Sequence, residues 1–408
     1  MKVMFLFGGV PLYLDALLKR LSADGTKITV VVPRDKSSVL GKGVKTADAV
    51  QYAYDVIEAE EKQSVVGKPY FKDLPNIIND VKPDIVVAGW PYFLAYMFQR
   101  KLRKAMARHN VRFVVREIPF QVPPYDKVAE YFRNNPMTDE DMNVLSSGFP
   151  FFVRQHVLMH IRKYCYSNAD GALAYSSHGL DIMPTYGIGR ERVFVTYNSG
   201  DTDALMHQKR MQRDEQAVLH ASDARIIHIG RLVKWKRVDL LLDAFAGGVK
   251  DVPEAELVIV GGGPELERLK QQARDMGMEK RVVFTGALYN AEQVGSYMMA
   301  SSLYVLAGMG GLSINDAMTY GLPVICSVCD STERDLVTNG VNGFFFREGD
   351  AADLAEKITT ILKNDSLRRE MGIASLSIIE NKININTVSS RYIDAFGKIM
   401  ALPKRSRS

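Results

Sequence analysis

A glycine-rich segment in the last third of the chain has the composition of a phosphate-binding loop. Its residues are Ala307-Gly308-Met309-Gly310-Gly311-Leu312, and it lies between an apolar run typical of a strand and a predicted helix. Glycines leave backbone amides accessible, and amides at the positive end of a helix dipole bind anions. We therefore expect this loop to hold phosphate and Asp316, early on the helix, to accept hydrogen bonds from ribose hydroxyls. The alternative is a tight turn followed by a solvent-facing aspartate.

Two basic residues follow another predicted strand, Arg225–Ile229. Gly230 and Arg231 come directly after this strand, and Lys236 lies just before a predicted helix. An arginine offers a planar fork of donors and a lysine offers a point charge, so together they suit a diphosphate. The alternative is a solvated basic loop.

A third glycine cluster, Gly261-Gly262-Gly263, follows the predicted strand Leu257–Val260. A dinucleotide fingerprint beginning at Gly261 would require a glycine at position 266, where the chain has Leu266. Nicotinamide binding is therefore disfavoured. We expect these glycines to let the backbone pass close to a bound base or ribose.

These loops belong to two successive series of apolar strands alternating with helices. The strands are continuous apolar runs, which is typical of parallel sheets buried on both faces. We therefore predict an α/β protein with two doubly wound, Rossmann-like domains facing across a cleft, where ligands bind at the carboxyl ends of strands. The predicted domains are 1–200 and 201–384, with a helix at 385–403 packing back on the first, and the polar stretch 202–223 is interpreted as a linker.

Composition indicates a globular protein. The 408 residues are 47% hydrophobic and 24% charged, and no apolar run reaches the roughly 20 residues of a membrane-spanning helix. The formal net charge is +5, with the basic excess inside residues 1–200. Cys326 and Cys329 have C-x-x-C spacing but no second cysteine pair, so we interpret them as structural rather than zinc-binding. His156 and His160 have helical spacing and are likewise predicted to pack or face solvent.

The second half resembles the donor domain of family-4 retaining glycosyltransferases with the GT-B fold, the glycosyl transferases group 1. The similar run extends from Ile227-His228-Ile229-Gly230-Arg231 to Gly340-Val341-Asn342-Gly343-Phe344. It includes the helix at 236–245 and the segment Ala317-Met318-Thr319-Tyr320-Gly321-Leu322-Pro323. Several blocks in the same order over roughly 120 residues carry the resemblance.

The resemblance implies roles for individual residues. Arg231 and Lys236 match the pair that neutralises the donor diphosphate, and Asp316 stands where the family has the second of two glutamates, which binds the nucleotide ribose. Gly308 stands in place of the first glutamate, which holds hydroxyls of the transferred sugar in the family. The implied donor-binding residues are Gly9, Asn198, Gly230, Gly262, Gly263, Gly286, Ala287, Leu288, Gly308, Met309, Gly310, Gly311, Leu312 and Asp316.

The first half resembles the acceptor domain more loosely. Gly8 and Gly9 resemble its glycine turn, and Glu117 falls where many members carry a histidine near the transferred sugar. We expect the Glu117 carboxylate to hold a sugar hydroxyl or to stabilise positive charge at the anomeric carbon, which makes it the third catalytic candidate. A salt-bridged surface glutamate is the alternative.

The implied function is transfer of a sugar from a nucleoside diphosphate sugar, with a uridine donor expected, to a glycan or lipid-linked glycan acceptor. Such reactions assemble cell-surface polysaccharides and glycolipids. No cofactor or metal is expected, because Arg231 and Lys236 replace it. The alternatives are a non-catalytic sugar-nucleotide-binding subunit and a sugar-nucleotide epimerase on the same fold.

A basic amphipathic helix, Arg100–Arg108, is the expected contact with an anionic membrane surface. Its alternative is a solvated face over an ordinary core helix. We expect a cytoplasmic protein, with a peripheral position on the inner face of the membrane if this helix binds lipid, and no nucleic-acid partner.

Overall fold

The computed structural model describes residues 1–35, 52–118, 122–211, 218–248 and 250–405. Contacts divide the chain into two units. Unit 1 consists of residues 1–137, 146–198 and 385–408, and unit 2 consists of residues 138–145 and 199–384. The short segment 138–145 is thus separated from its sequence neighbours and belongs by its contacts to unit 2.

The strands in chain order are β1 Lys2–Leu6, β2 Lys27–Pro33, β3 Asp55–Ala59, β4 Glu61–Gln63, β5 Pro69–Phe71, β6 Ile85–Gly89, β7 Arg112–Glu117, β8 Met137–Thr138, β9 Val144–Ser146, β10 Gly171–Ala174, β11 Val193–Val195, β12 Arg225–Ile229, β13 Glu256–Val260, β14 Val282–Gly286, β15 Leu303–Leu306, β16 Val324–Cys326 and β17 Gly343–Phe345.

The helices are α1 Leu12–Ala23, α2 Leu74–Val81, α3 Ala95–Phe98, α4 Arg100–Arg108, α5 Val128–Asn134, α6 Gly148–Ser167, α7 Gly179–Ile182, α8 Thr202–Met211, α9 Val238–Gly248, α10 Leu266–Asp275, α11 Ala291–Met299, α12 Ser313–Thr319, α13 Glu333–Leu336, α14 Ala351–Leu362, α15 Asp365–Asn381 and α16 Ile385–Ala401.

Unit 1 is built on a parallel sheet with the strand order β11-β10-β7-β6-β1-β2-β3. The central strands β1, β6 and β7 are buried almost throughout, as the continuous apolar runs predict for a sheet covered on both faces. One face carries a core that includes α2, α4 and α6, and the other packs against α1 and α16.

Helix α16 comes from the far end of the chain but belongs to unit 1. Its buried side chains include Tyr392 and Phe396, which pack in one cluster with residues of β1 and β2. The hydroxyl of Tyr392 accepts a hydrogen bond from Arg116 on β7 at 2.6 Å. A helix in the predicted range 385–403 therefore covers one face of the first sheet.

Unit 2 is built on a second parallel sheet with the order β14-β13-β12-β15-β16-β17. Strands β13, β15 and β16 are almost wholly buried, and the helices α9, α10, α14 and α15 contribute to the core that covers them. Both units are of the α/β class, as predicted.

One segment differs from the sequence interpretation. The stretch 202–223 contains the helix α8, which begins at the buried residue Thr202. Within this stretch, residues 212–217 lie outside the described part of the chain. The aromatic segment near Phe149 is the 20-residue helix α6, with a face that enters the core of unit 1. Along the described residues, every helix is too short or too polar to cross a bilayer.

The basic helix α4 has a buried apolar side formed by Leu102, Ala105 and Met106. Its basic residues Arg100, Lys101, Lys104 and Arg108 are exposed. The helix is therefore amphipathic, with its apolar face already used by the core.

Candidate active site

The two loops predicted to bind phosphate lie at the same edge of the unit 2 sheet. Strand β12 ends at Ile229 and strand β15 ends at Leu306, and the two strands are hydrogen-bonded neighbours running in parallel. The carboxyl ends of neighbouring parallel strands meet at one edge, which is where open α/β sheets bind ligands. The 230–237 loop and the 307–312 loop are therefore adjacent.

Direct hydrogen bonds join these loops. The Lys236 ammonium donates to the carbonyls of Met309 at 2.7 Å and Gly310 at 2.6 Å. The Met309 amide donates to the carbonyl of Trp235 at 2.8 Å. Burial lowers the pKa of Lys236, while the neighbouring Cys329 and Asp330 act in the opposite direction. Lys236 thus brings a positive charge to the loop and fixes the loop's shape.

Packing between the two loops requires a residue without a side chain at position 308. A Cβ atom at this position would collide with the Trp235 carbonyl and the backbone of Lys236. The carboxylate that the resemblance leads one to expect at 308 therefore cannot be accommodated unless residues 235 and 236 move. The contact between the loops explains the glycine independently of any ligand.

The remaining loop residues keep backbone donors available. In the described part of the chain, the amides of Gly310, Gly311 and Leu312 donate no hydrogen bond. A Cβ atom at Gly311 would lie 3.7 Å from the Lys236 nitrogen, whereas one at Gly310 would lie 2.8 Å from a carboxylate oxygen of Asp330. The available amides and the lysine charge thus belong to one small region.

Arg231 lies in the same region and is paired with a carboxylate that the sequence did not predict. Its Nη1 and Nη2 donate to the two oxygens of Glu140 at 2.5 and 2.6 Å. The Trp235 amide donates to the carbonyl of Glu140 at 3.1 Å. Glu140 belongs to the segment 138–145 and is 91 residues from Arg231 in sequence. No local pattern pointed to this pair.

Asp316 is a half-buried carboxylate on α12. Burial raises its pKa to about 7, so it is close to half-protonated at neutral pH. A Cβ atom at Gly200 would lie 3.4 Å from its Oδ1, which shows how closely the backbone at 200 approaches it. The ionised form can accept a hydrogen bond from a hydroxyl group, and the protonated form can donate one.

The other predicted donor-binding glycines contact the protein's own backbone. Gly230 donates to the carbonyl of Val260 at 3.0 Å, and Leu232 donates to that of Gly262 at 2.9 Å. A Cβ atom at Gly263 would collide with the backbone of Leu232. Close packing between the strand-end loops therefore accounts for these glycines.

Gly286, at the end of β14, differs from them. It has a φ of 73°, a left-handed conformation that favours glycine, and a Cβ atom there would meet nothing within 4 Å. Its neighbour Ala287 is exposed and Leu288 is half-buried. This loop packs against the glycine cluster at 261–263, since the Gly261 amide donates to the Gly286 carbonyl at 3.0 Å and a Cβ atom at Gly262 would lie 3.1 Å from that of Ala287.

Three predicted site residues belong to unit 1. Gly9 follows β1 and Asn198 ends the second segment of unit 1, and both are half-buried. Glu117, at the end of β7, is buried and ion-paired with Arg162, so the alternative of a salt-bridged surface glutamate is confirmed for the ion pair and wrong for the surface position. Its Oε2 accepts hydrogen bonds from Arg162 and, at 2.5 Å, from the hydroxyl of Tyr166.

The cysteines lie beside the glycine loop. Cys326 is buried in β16, and Cys329 forms a cluster with Asp330 and Glu333 in which the polar atoms lie within 4.8 Å of one another. Burial raises the pKa of both thiols. The absence of a metal at the site stays a prediction.

Comparison with known proteins finds a family match in this region. Residues 211–376 match the family described as glycosyl transferases group 1. Similar curated proteins include the lipopolysaccharide 1,6-galactosyltransferase of Salmonella typhimurium, 26% identical over 53% of this chain and 60% of the relative. Another is the N-acetyl-alpha-D-glucosaminyl L-malate synthase of Bacillus anthracis, 27% identical over 48% of this chain and 51% of the relative. The chain thus spans about half the length of these relatives.

Solved structures cover nearly the whole chain. The Anabaena protein HepE in complex with UDP has a TM-score of 0.67 and 19% identity, over 97% of this chain and 100% of HepE. Other structures of HepE are complexes with UDP and glucose and with UDP-glucose. This likeness shows the GT-B fold of two α/β domains, as predicted. Within residues 211–376, the chain is similar to the glycosyl transferases group 1 family.

Proposed function

We propose that this protein is a retaining glycosyltransferase that moves a sugar from a nucleoside diphosphate sugar to a glycan or lipid-linked glycan acceptor. The observation that carries the proposal is the joining of Lys236 to the 308–312 loop, with Arg231 in the same region. The two cations and the available backbone amides would contact the diphosphate of a bound donor. UDP is the proposed nucleotide, since the HepE structures contain UDP and UDP-glucose.

The proposed chemistry is stabilisation of the leaving group. As the bond between the sugar and the diphosphate breaks, negative charge increases on the departing phosphate oxygens. Arg231, Lys236 and the amides at 310–312 are positioned before the reaction to receive that charge, so little reorganisation is needed. The acceptor hydroxyl would attack from the face that the diphosphate leaves, and its proton would pass to a phosphate oxygen. No metal is required in this scheme.

The sugar end of the site remains less defined than the phosphate end. Gly308 supplies no carboxylate, and the sugar contact expected of Glu117 stays a prediction. We propose that Asp316 binds the ribose hydroxyls and that the loop at 286–288 lies beside the base. A binding subunit without transfer activity is the second candidate, favoured by the lack of a carboxylate at 308.

The acceptor side is proposed from helix α4. Its exposed basic residues suit an anionic lipid surface, and because its apolar side is buried, such binding would be electrostatic and would not involve insertion. An acceptor carried on a lipid, and a peripheral position on the inner face of the membrane, follow from this proposal.

The decisive experiment is transfer from UDP-sugars by the double variant Arg231→Ala with Lys236→Ala. Because loss of a single donor to a developing anion costs about 10²–10³ in rate, we expect at least that loss in turnover. The control is Lys234→Ala, which removes an exposed cation from the same loop and should keep near-normal turnover. Thermal unfolding of both variants checks their folding.

Three results would contradict the proposal in different ways. Full activity in the double variant would remove the leaving-group argument. Binding of UDP-sugars without transfer to any acceptor would favour the binding subunit. If no UDP-, GDP- or ADP-sugar shifts the melting temperature of the wild type, donor binding itself fails. The anomeric configuration of the product, measured by NMR, tests retention, and activity in EDTA tests independence from metal.

A further inference from the structure

The segment that carries Glu140 is a small, well-ordered hairpin. Strands β8 and β9 flank its turn. Asp139 closes the turn, since its Oδ1 accepts from the amides of Asp141 at 3.0 Å and Asn143 at 2.8 Å. Its Oδ2 accepts from the Asn143 side chain at 3.1 Å. The hairpin therefore presents Glu140 in a defined position.

Glu140 is attached to the basic loop at two points. Its carboxylate pairs with both terminal nitrogens of Arg231, and its carbonyl accepts from the Trp235 amide. One residue of the hairpin thus contacts the loop near its beginning and again next to Lys236. The contact is specific in geometry, because both oxygens and both nitrogens are used.

A carboxylate and a phosphate are interchangeable partners for a guanidinium group. Each presents two oxygens to the planar fork, and each forms short, charge-assisted hydrogen bonds with it. Glu140 is therefore in the chemical position that a phosphate oxygen pair would occupy on Arg231. Both cannot hold the same two nitrogens at once.

We propose that Glu140 is an inhibitory residue that occupies the phosphate position on Arg231 and must be displaced when a nucleoside diphosphate binds. The inference rests on the proposed function, because it requires Arg231 to bind the donor diphosphate. The side chain of Arg231 is 34% exposed and that of Glu140 is 20% exposed, so water can replace the pair as it separates. The hairpin acts as a competitor tethered to the chain, which lowers the apparent affinity for the donor.

The test measures UDP binding to the full chain by isothermal titration calorimetry. Glu140→Gln keeps the shape of the side chain but removes its charge, so we expect UDP to bind roughly two- to fivefold more tightly than to the wild type, the range of a partly exposed ion pair. The matched control is Glu267→Gln, an exposed glutamate of the same unit paired with Lys270, which should leave the affinity unchanged. In an Arg231→Gln background, removing the Glu140 charge should have no further effect.

Equal or weaker binding by the Glu140→Gln variant would overturn the inference. Weaker binding would mean that Glu140 orients Arg231 for the donor, and equal binding would mean that the pair persists when UDP is bound. If wild type and variant both fail to bind UDP, GDP and ADP, the proposed function fails as well. Detectable wild-type binding separates the two failures.

A second measurement uses the wild type alone. The Trp235 amide donates to the Glu140 carbonyl, so release of the hairpin should increase its hydrogen exchange when UDP is added. Decreased exchange at Trp235 and across 138–145 would show that UDP stabilises the hairpin contact, which contradicts the inference. This measurement does not depend on the folding of any variant.

Discussion

Each unit of this protein contains an arginine–glutamate pair near the end of a central strand, and the two pairs have very different surroundings. Arg162 and Glu117 in unit 1 have side chains only 3% and 6% exposed, and the guanidinium of Arg162 stacks 4.5 Å from the Trp90 ring. Arg231 and Glu140 in unit 2 are 34% and 20% exposed and join two loops. The same two functional groups are enclosed in one unit and accessible to water in the other.

The difference lies in what can replace a lost partner. In unit 1 the Tyr166 hydroxyl and aromatic rings surround the pair, so an unpaired charge there would have no water to solvate it. In unit 2 water or an anion can take the place of Glu140. Burial thus makes one pair a permanent part of the core and leaves the other able to exchange partners.

Removing the arginine from each pair should give the largest contrast. Arg162→Ala leaves Glu117 buried without its cation, which we expect to cost about 3–5 kcal/mol in the free energy of unfolding of unit 1. Arg231→Ala should cost at most about 1 kcal/mol, as is usual for a partly exposed pair. Denaturant unfolding followed by circular dichroism measures both. Similar losses in the two variants would show that burial does not distinguish the pairs.

A carboxylate without a cationic partner extends the comparison. Asp316 forms no ion pair in the described part of the chain, and burial raises its pKa from 3.8 to about 7. A raised pKa means that the folded state binds the proton more tightly, so stability contributed by this group is present at low pH and lost as pH rises toward 7. Asp316→Asn should therefore stabilise the protein by about 1–2 kcal/mol at pH 8, allowing for its partial exposure, and by much less at pH 4.

Melting temperatures at pH 8 and pH 4 test this expectation. A gain of the same size at both pH values would mean that ionisation of Asp316 does not cost stability. The control is Asp275→Asn, an exposed aspartate of α10 that should show little gain at pH 8. The same Asp316 variant should bind UDP more weakly if its carboxylate holds the ribose.

The smallest effect concerns two exposed cations of helix α4. Lys101 and Lys104 on α4 are exposed and form no ion pair in the described part of the chain. If α4 binds anionic lipid, Lys104→Gln should weaken binding to phosphatidylserine-containing vesicles by about 1 kcal/mol, roughly fivefold, and added salt should reduce the difference. Lys363→Gln in unit 2 is the control. Unchanged sedimentation with vesicles would remove the membrane proposal for this helix.

Sequence patterns anticipated the parts of the molecule that local chemistry determines. Continuous apolar strands indicated two parallel sheets, and the positions of Arg231 and Gly310 after strands indicated a common edge. The patterns could not indicate Glu140, because its partner is 91 residues away and a single glutamate in a polar segment has no local signal. The buried environment of Glu117 was equally hidden, since it depends on Arg162, which is 45 residues away in sequence.

The interpretation of 202–223 as a linker failed for a related reason. Its first half is rich in polar residues that are equally compatible with a loop, and only contacts with α11 and α12 stabilise it as the helix α8. Gly308 shows the opposite case. The sequence marked it as unusual, and only the approach of the Trp235 carbonyl explains why no side chain fits there.

The position of α16 has a consequence for how the chain is made. Arg112 on β7 donates to the carbonyls of Met400 and Leu402, and Ile399 lies where a side chain on Gly171 would otherwise be. During synthesis the ribosome therefore produces nearly all of unit 1 first but must finish residues 385–402 before one face of its sheet can be covered. Until then α1 covers that face of the sheet only in part, and the apolar side chains that α16 would cover are exposed to other nascent chains. A chain truncated before residue 385 would contain every residue of unit 2 but would lack α16 of unit 1. We therefore expect unit 1 of such a chain to aggregate or to be degraded.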